Sequence, residues 1–262
     1  MIRVTRQGYS ASPLSAQYCT DNGLALYPCL VTRIIQAYGY EYTDADITDA
    51  VCDTAEALAD YPCVIGYDIF QEGDYLAGFP WKQSQSYSTG AKVVSGSGLQ
   101  YVATTGGTSS GSGTGPSGTG TGIADGTVVW DYERVPLLVS DVTAMLAAVR
   151  DRIGRRVPLT TSFSPTPGGS LWTEDADNMY AKIYTDANGP DFIDLHLYYA
   201  VIPRDIDYLV WRTGKPVLVG EFGATKSLAD DEELLRFSRV RAIHQKPGVL
   251  GSLVWALADQ GV

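Results

Sequence analysis

Short apolar-rich runs alternate along this chain with stretches whose apolar residues return every three or four positions. The runs lie at residues 24–31, 63–70, 156–163, 191–199, 215–223 and 249–257, and a β-branched, alternating run covers 2–6. Strands that are apolar on both faces belong to parallel sheets, where helices cover both sides. Between them the spacing predicts helices over 12–22, 44–59, 140–153, 178–187, 205–212 and 230–245. Ser12-Pro13 opens the first helix and Asn22-Gly23 stops it; Ser140 is placed as an N-cap, and Gly214 ends the helix before it. Pro28 counts against the strand at 24–31, because it lacks a backbone donor. Seven strands alternating with helices predict an α/β fold with a parallel sheet. A closed TIM-type (β/α) barrel has eight strands, so the first strand and helix are expected to be missing, the first visible run beginning almost at Met1.

The alternation is interrupted once. Residues 83–133 are rich in Ser, Thr and Gly, and 104–122 hold almost nothing else. The flanking runs 91–95, 99–104 and 126–132 read as strands of a small all-β insertion. This divides the chain into a first barrel part (1–82), an inserted β module (83–133) and a second barrel part (134–262). A barrel accepts such additions in its strand-to-helix loops.

Composition removes several function classes. With 19 Lys and Arg against 30 Asp and Glu, the formal charge is -11, which argues against a nucleic-acid or anionic-membrane partner. No apolar run reaches the roughly 18 to 20 residues of a membrane span, and the N-terminus lacks the apolar stretch of a signal peptide. The four cysteines, Cys19, Cys29, Cys52 and Cys63, have no C-x-x-C spacing, and the chain has 2 histidines. No metal site and no cofactor are therefore expected; buried free thiols and one or two disulfides both remain open.

The candidate chemistry gathers at the ends of the strands. Glu221 follows the apolar run Val217-Leu-Val-Gly220, where burying a carboxylate is costly unless it has partners or work. Glu72 follows the strand at 63–70, His196 and Tyr198 lie on the one at 191–199, Arg3 on the first and Trp255 on the last. In a barrel these strand ends share one bowl. Two carboxylates facing each other over an aromatic floor suit glycoside cleavage, one as proton donor and the other as nucleophile or stabiliser. Asp68, inside its strand, reads as a structural partner rather than a catalyst.

Ile65-Gly-Tyr-Asp-Ile-Phe-Gln-Glu72, His196-Leu-Tyr198, Val219-Gly-Glu-Phe-Gly223 and Leu253-Val-Trp255 resemble the cellulase-type retaining glycosidases of the (β/α)8 superfamily. The resemblance covers roughly residues 1–80 and 134–262. It implies that Glu221 is the nucleophile and Glu72 the acid/base, that Tyr198 hydrogen-bonds Glu221, and that Trp255 is a sugar platform. Arg3, Gln71, His196 and Trp172 would complete the substrate contacts. Gln71 departs from the family, which has Asn there to hold the sugar 2-hydroxyl, and the first strand is absent.

The inserted module resembles small β repeats of phage tail proteins and of some carbohydrate-binding modules, through 87–94, 100–109, 115–120 and 125–132. Its aromatics Trp81, Tyr87, Tyr101, Trp130 and Tyr132 could stack on sugars or form the core of the module. The expected function is hydrolysis of a polysaccharide or cell-surface glycan with retention. The alternative is a catalytically lapsed tail or fibre protein that binds carbohydrate. The setting implied is a phage virion or the extracellular space, with other tail proteins as possible partners.

Overall fold

The computed structural model describes residues 4–7, 11–31, 45–71, 79–163, 179–197, 203–222, 238 and 240–254. Its contacts divide the chain into two units, Met1–Gly73 with Val139–Val262, and Asp74–Leu138. In chain order the first part of the larger unit holds β1 (Val4–Gln7), α1 (Pro13–Asp21), β2 (Ala25–Val31), α2 (Ala45–Leu58) and β3 (Tyr67–Phe70). The smaller unit holds β4 (Phe79–Pro80), β5 (Ser86–Tyr87), β6 (Lys92–Val94), β7 (Gln100–Thr105), β8 (Gly107–Thr108), β9 (Ile123–Asp125) and β10 (Val128–Arg134). The larger unit resumes with α3 (Val139–Ile153), β11 (Leu159–Thr160), β12 (Ser162–Phe163), α4 (Met179–Thr185), β13 (Ile193–Leu197), α5 (Pro203–Thr213), β14 (Val217–Phe222) and β15 (Val249–Val254).

Strands of the larger unit run parallel, in the orders β1-β2-β3-β11 and β12-β13-β14-β15. Only Thr161 separates β11 from β12. Its hydroxyl donates to the Phe70 carbonyl at 3.0 Å, so one extended segment pairs backward with β3 and forward with β13. The expected α/β alternation is therefore present. Among the described residues, no pairing joins β15 to β1 and no closed barrel is traced. Pro28 stays inside β2, opposite Gln7.

Local sequence accounts for the helix starts. Ser12 and Ser15 form a reciprocal capping box: each hydroxyl accepts the other's backbone N–H, at 3.3 and 2.9 Å. Helix α3 begins at Val139, one residue ahead of Ser140, so Ser140 lies within the helix rather than capping it. Val142, Met145, Leu146, Val149 and Ile153 form its buried stripe. All four cysteines are free and buried.

The smaller unit starts earlier than the expected 83–133. Phe79–Pro80 pairs with β6, and Trp81 packs against the unit's core, so these residues leave the first barrel part. The sheet order is β4-β6-β7-β10-β9, with β5 and β8 as a separate pair. Its core is Val93, Tyr101, Ala103, Val128 and Trp130, with Trp81, Tyr87 and Tyr132 partly buried against it. The aromatics are thus the substance of this core. Asp125 ties it together: one oxygen accepts both indole N–H groups, Trp81 at 2.7 Å and Trp130 at 3.1 Å, and the other accepts Ser110 N–H at 3.0 Å. The Ser/Thr/Gly stretch folds around it because glycine permits close approach. At Gly126, with φ +67°, a Cβ would lie 2.3 Å from the Thr108 carbonyl oxygen.

Candidate active site

Glu221 stands near the end of β14, and its side chain is buried at 4% exposure. Its two oxygens have separate partners. Gln71 Nε2 donates to Oε1 at 3.2 Å, and His196 Nδ1 lies 3.3 Å from Oε2. Gln71 is fixed by its own backbone, its N–H donating to the Val31 carbonyl at 2.9 Å. Strands β2, β3, β13 and β14 thereby converge on one carboxylate.

A bulge aims that carboxylate. In β13 and β14, Leu195 pairs with Val219 but His196 pairs with Glu221, so Gly220 is an extra residue in β14. In an unbroken strand, successive side chains alternate between faces, which would place Gly220 and Glu221 on opposite sides. Here the Gly220 Cα faces the Asp194 carboxylate, where a Cβ would meet Oδ1 at 1.9 Å. Glu221 turns to His196, and His196 shares the face of β13 with Asp194. The bulge brings both consecutive residues to the same side.

Behind Glu221 lies a buried polar layer that sequence reasoning left out, apart from Asp68 and His196. Tyr27 donates its hydroxyl to Asp194 Oδ2 at 2.6 Å. Asp68 accepts the Ser162 N–H on Oδ1 at 2.8 Å and the Ser162 hydroxyl on Oδ2 at 2.6 Å. A carboxylate oxygen of Asp68, one of Asp194 and a ring nitrogen of His196 all lie within 4.8 Å of one another, and the three residues are 0% exposed. Such a trio has the donor types for a cation, and Ser162 and Tyr27 hold its two carboxylates in place by hydrogen bonds. The alternation in Asp194-Leu-His196 was the sequence signal available for it: two polar residues two apart on an otherwise apolar strand.

Tyr184 closes this layer, donating to the Thr161 carbonyl at 2.8 Å and accepting the Asp194 N–H at 3.4 Å. Burial raises its phenol well above the ordinary tyrosine range, and the charges of Asp194 and Asp68 add to that shift.

Of the residues expected in the site, the structure brings Glu221, His196 and Gln71 together. His196 meets Glu221 in a fully buried position. Glu72, Arg3, Tyr198, Trp255 and Trp172 lie outside the described residues.

No protein-family model matches the chain, and no curated protein matches it in sequence. Solved structures match it in fold. A GH5_18 from Bifidobacterium longum subsp. infantis aligns with a TM-score of 0.56 at 12% identity, over 97% of this chain and 60% of that chain. A GH5_18 from Streptomyces cattleya in complex with Manb1-4GlcNAc gives 0.51 at 13%, over 94% of this chain and 58% of that one. A β-glucuronidase from Ruminococcus gnavus in complex with D-glucaro-d-lactam gives 0.53 at 12%, over 98% and 37%. This chain spans 60% or less of the length of each. The likeness shows that the chain shares the fold of these solved structures.

Proposed function

We propose that this chain is a retaining glycoside hydrolase built on a (β/α)8-type barrel, with an all-β insertion. Glu221 is the nucleophile and Glu72 the general acid/base. The observation that carries this reading is the treatment of Glu221: a buried carboxylate near the end of a parallel strand, aimed by a bulge and held on each oxygen by a separate side chain. A nucleophile needs that fixed orientation toward the anomeric carbon.

In the first step a Glu221 oxygen bonds to the anomeric carbon as the glycosidic bond breaks, and the Glu72 carboxylic acid gives its proton to the leaving oxygen. In the second step Glu72 takes a proton from water, whose oxygen displaces Glu221 and restores the sugar hydroxyl. The substrate is a polysaccharide or cell-surface glycan, and the chain's acidity favours a neutral one.

A 2-deoxy-2-fluoro glycoside with a good leaving group tests this directly. The expected result is a covalent sugar adduct on Glu221, located by peptide mass spectrometry, together with loss of turnover by about a thousandfold or more in Glu221→Gln. Hydrolysis by Glu221→Gln at the wild-type rate overturns the assignment. A second reading, a sugar-binding barrel without turnover, is favoured by one contact: the Gln71 amide is engaged by Glu221 itself, where the resembled family uses an Asn amide for the sugar 2-hydroxyl. Saccharide binding with no turnover on any glycan would select it.

A further inference from the structure

We infer that Asp68 and Asp194 are positioning residues that keep His196 in its doubly protonated, cationic form, so that Glu221 is held by an imidazolium rather than by a neutral ring. The starting point is charge. Three carboxylates converge on one imidazole that is 0% exposed: Glu221 at 3.3 Å from Nδ1, and Asp68 and Asp194 with oxygens within 4.8 Å of a ring nitrogen. Burial alone favours neutral histidine, whereas opposite charges within about 4 to 6 Å favour the cation. Little water reaches these charges to screen them, so the carboxylates act strongly on the ring.

The hydrogen bonds agree. Ser162 donates twice to Asp68, and Tyr27 donates to Asp194, so both acids are fixed in place beside the ring. The groups facing His196 among the described residues come from every neighbouring strand: Tyr27 of β2 through Asp194, Asp68 of β3, Ser162 of β12 through Asp68, Asp194 of β13 itself, and Glu221 of β14. Tyr184 of α4 reaches the Asp194 backbone and remains protonated. An imidazolium would attract Glu221 and both aspartates at once, coupling the orientation of Glu221 to the buried acids beside the ring.

The chain contains 2 histidines, His196 in this layer and the exposed His244, which meets Ser252 Oγ at 2.6 Å. Nitrogen-15 NMR of imidazole-labelled protein therefore resolves the question with an internal reference. The expected result is that His196 keeps its second proton at least about one pH unit beyond His244, a tenfold difference in proton affinity. Asp194→Asn and Asp68→Asn, both isosteric, should each move the His196 midpoint down. Glu221→Gln should do the same, and it provides the test if either aspartate variant fails to fold. A His196 midpoint at or below that of His244, or one unmoved by these substitutions, overturns the inference.

The kinetic consequence rests on Glu221 being the nucleophile. Asp194→Asn should lower kcat about tenfold or more with KM little changed, and shift the alkaline limb of the pH–rate profile downward. An unchanged profile overturns the catalytic role. A protein without turnover would refute the glycosidase reading while the NMR result still decides the charge of His196.

Discussion

The Asp194 carboxylate occupies the space that a side chain at position 220 would need: a Cβ on Gly220 would lie 1.9 Å from Oδ1. Glycine at this bulge therefore does two things. It lets β14 gain the extra residue that aims Glu221, and it gives the buried acid room against the backbone. Gly220→Ala must push Asp194 away from Tyr27, breaking a buried charge-assisted bond. We expect a loss of about 1–3 kcal/mol in urea unfolding, together with loss of any hydrolytic activity. An alanine variant as stable as the parent would show that Asp194 rotates freely.

Tyr27→Phe separates the donor from the packing. It keeps the ring, tilted against Phe192 with centroids 6.2 Å apart, and removes the hydroxyl that reaches Asp194. The expected cost is about 1–3 kcal/mol, since a buried carboxylate loses a partner. Equal midpoints for variant and parent in chemical denaturation would contradict this.

Alkaline pH should unfold the larger unit through its buried phenols. Burial raises both Tyr67 and Tyr184 above the ordinary value of 10.0. With the folded pKa above the unfolded one, the folded chain retains protons that the unfolded chain has released. Their contribution is complete below about pH 10 and is lost as pH rises beyond it. Tyrosinate absorbance should then contain a late component that appears together with loss of the circular dichroism signal. Full ionisation before any unfolding would show that these rings are open to water.

In the smaller unit, Asp125→Ala strands two indole N–H groups and one backbone N–H. We expect about 2–4 kcal/mol of destabilisation, followed by tryptophan fluorescence in denaturant. Asp125→Asn should fall between, because its carbonyl oxygen can still accept both indoles while its amide opposes Ser110 N–H. If Asn and Ala behave alike, the indole bonds are not what stabilises this core.

Most of the larger unit could be read from the chain because its cues are local. Strand β14 and helix α2 follow from apolar runs and spacing, and α1 from Ser12-Pro13 and Asn22-Gly23. The smaller unit was harder: Phe79–Pro80 belongs to it through pairing with β6, and two-residue strands leave no periodicity to detect. Its aromatics could be noticed, but their common anchor on Asp125 depends on residues brought together from three separated strands and loops.

The sequence by itself determined the alternating α/β pattern, the position of Glu221 at a strand end and the nearness of Gln71 and His196 to comparable ends. Those features depend on hydrophobic spacing within a few residues. Only the tertiary structure decided which way Glu221 faces and what stands behind it. Strand alternation alone sends consecutive side chains to opposite sides, and a one-residue bulge reverses that assignment through cross-strand pairing. Likewise Tyr27, Asp68, Ser162 and Asp194 sit on four different strands. A buried charge is tolerable only where such distant partners meet it, and their meeting is a property of the folded chain.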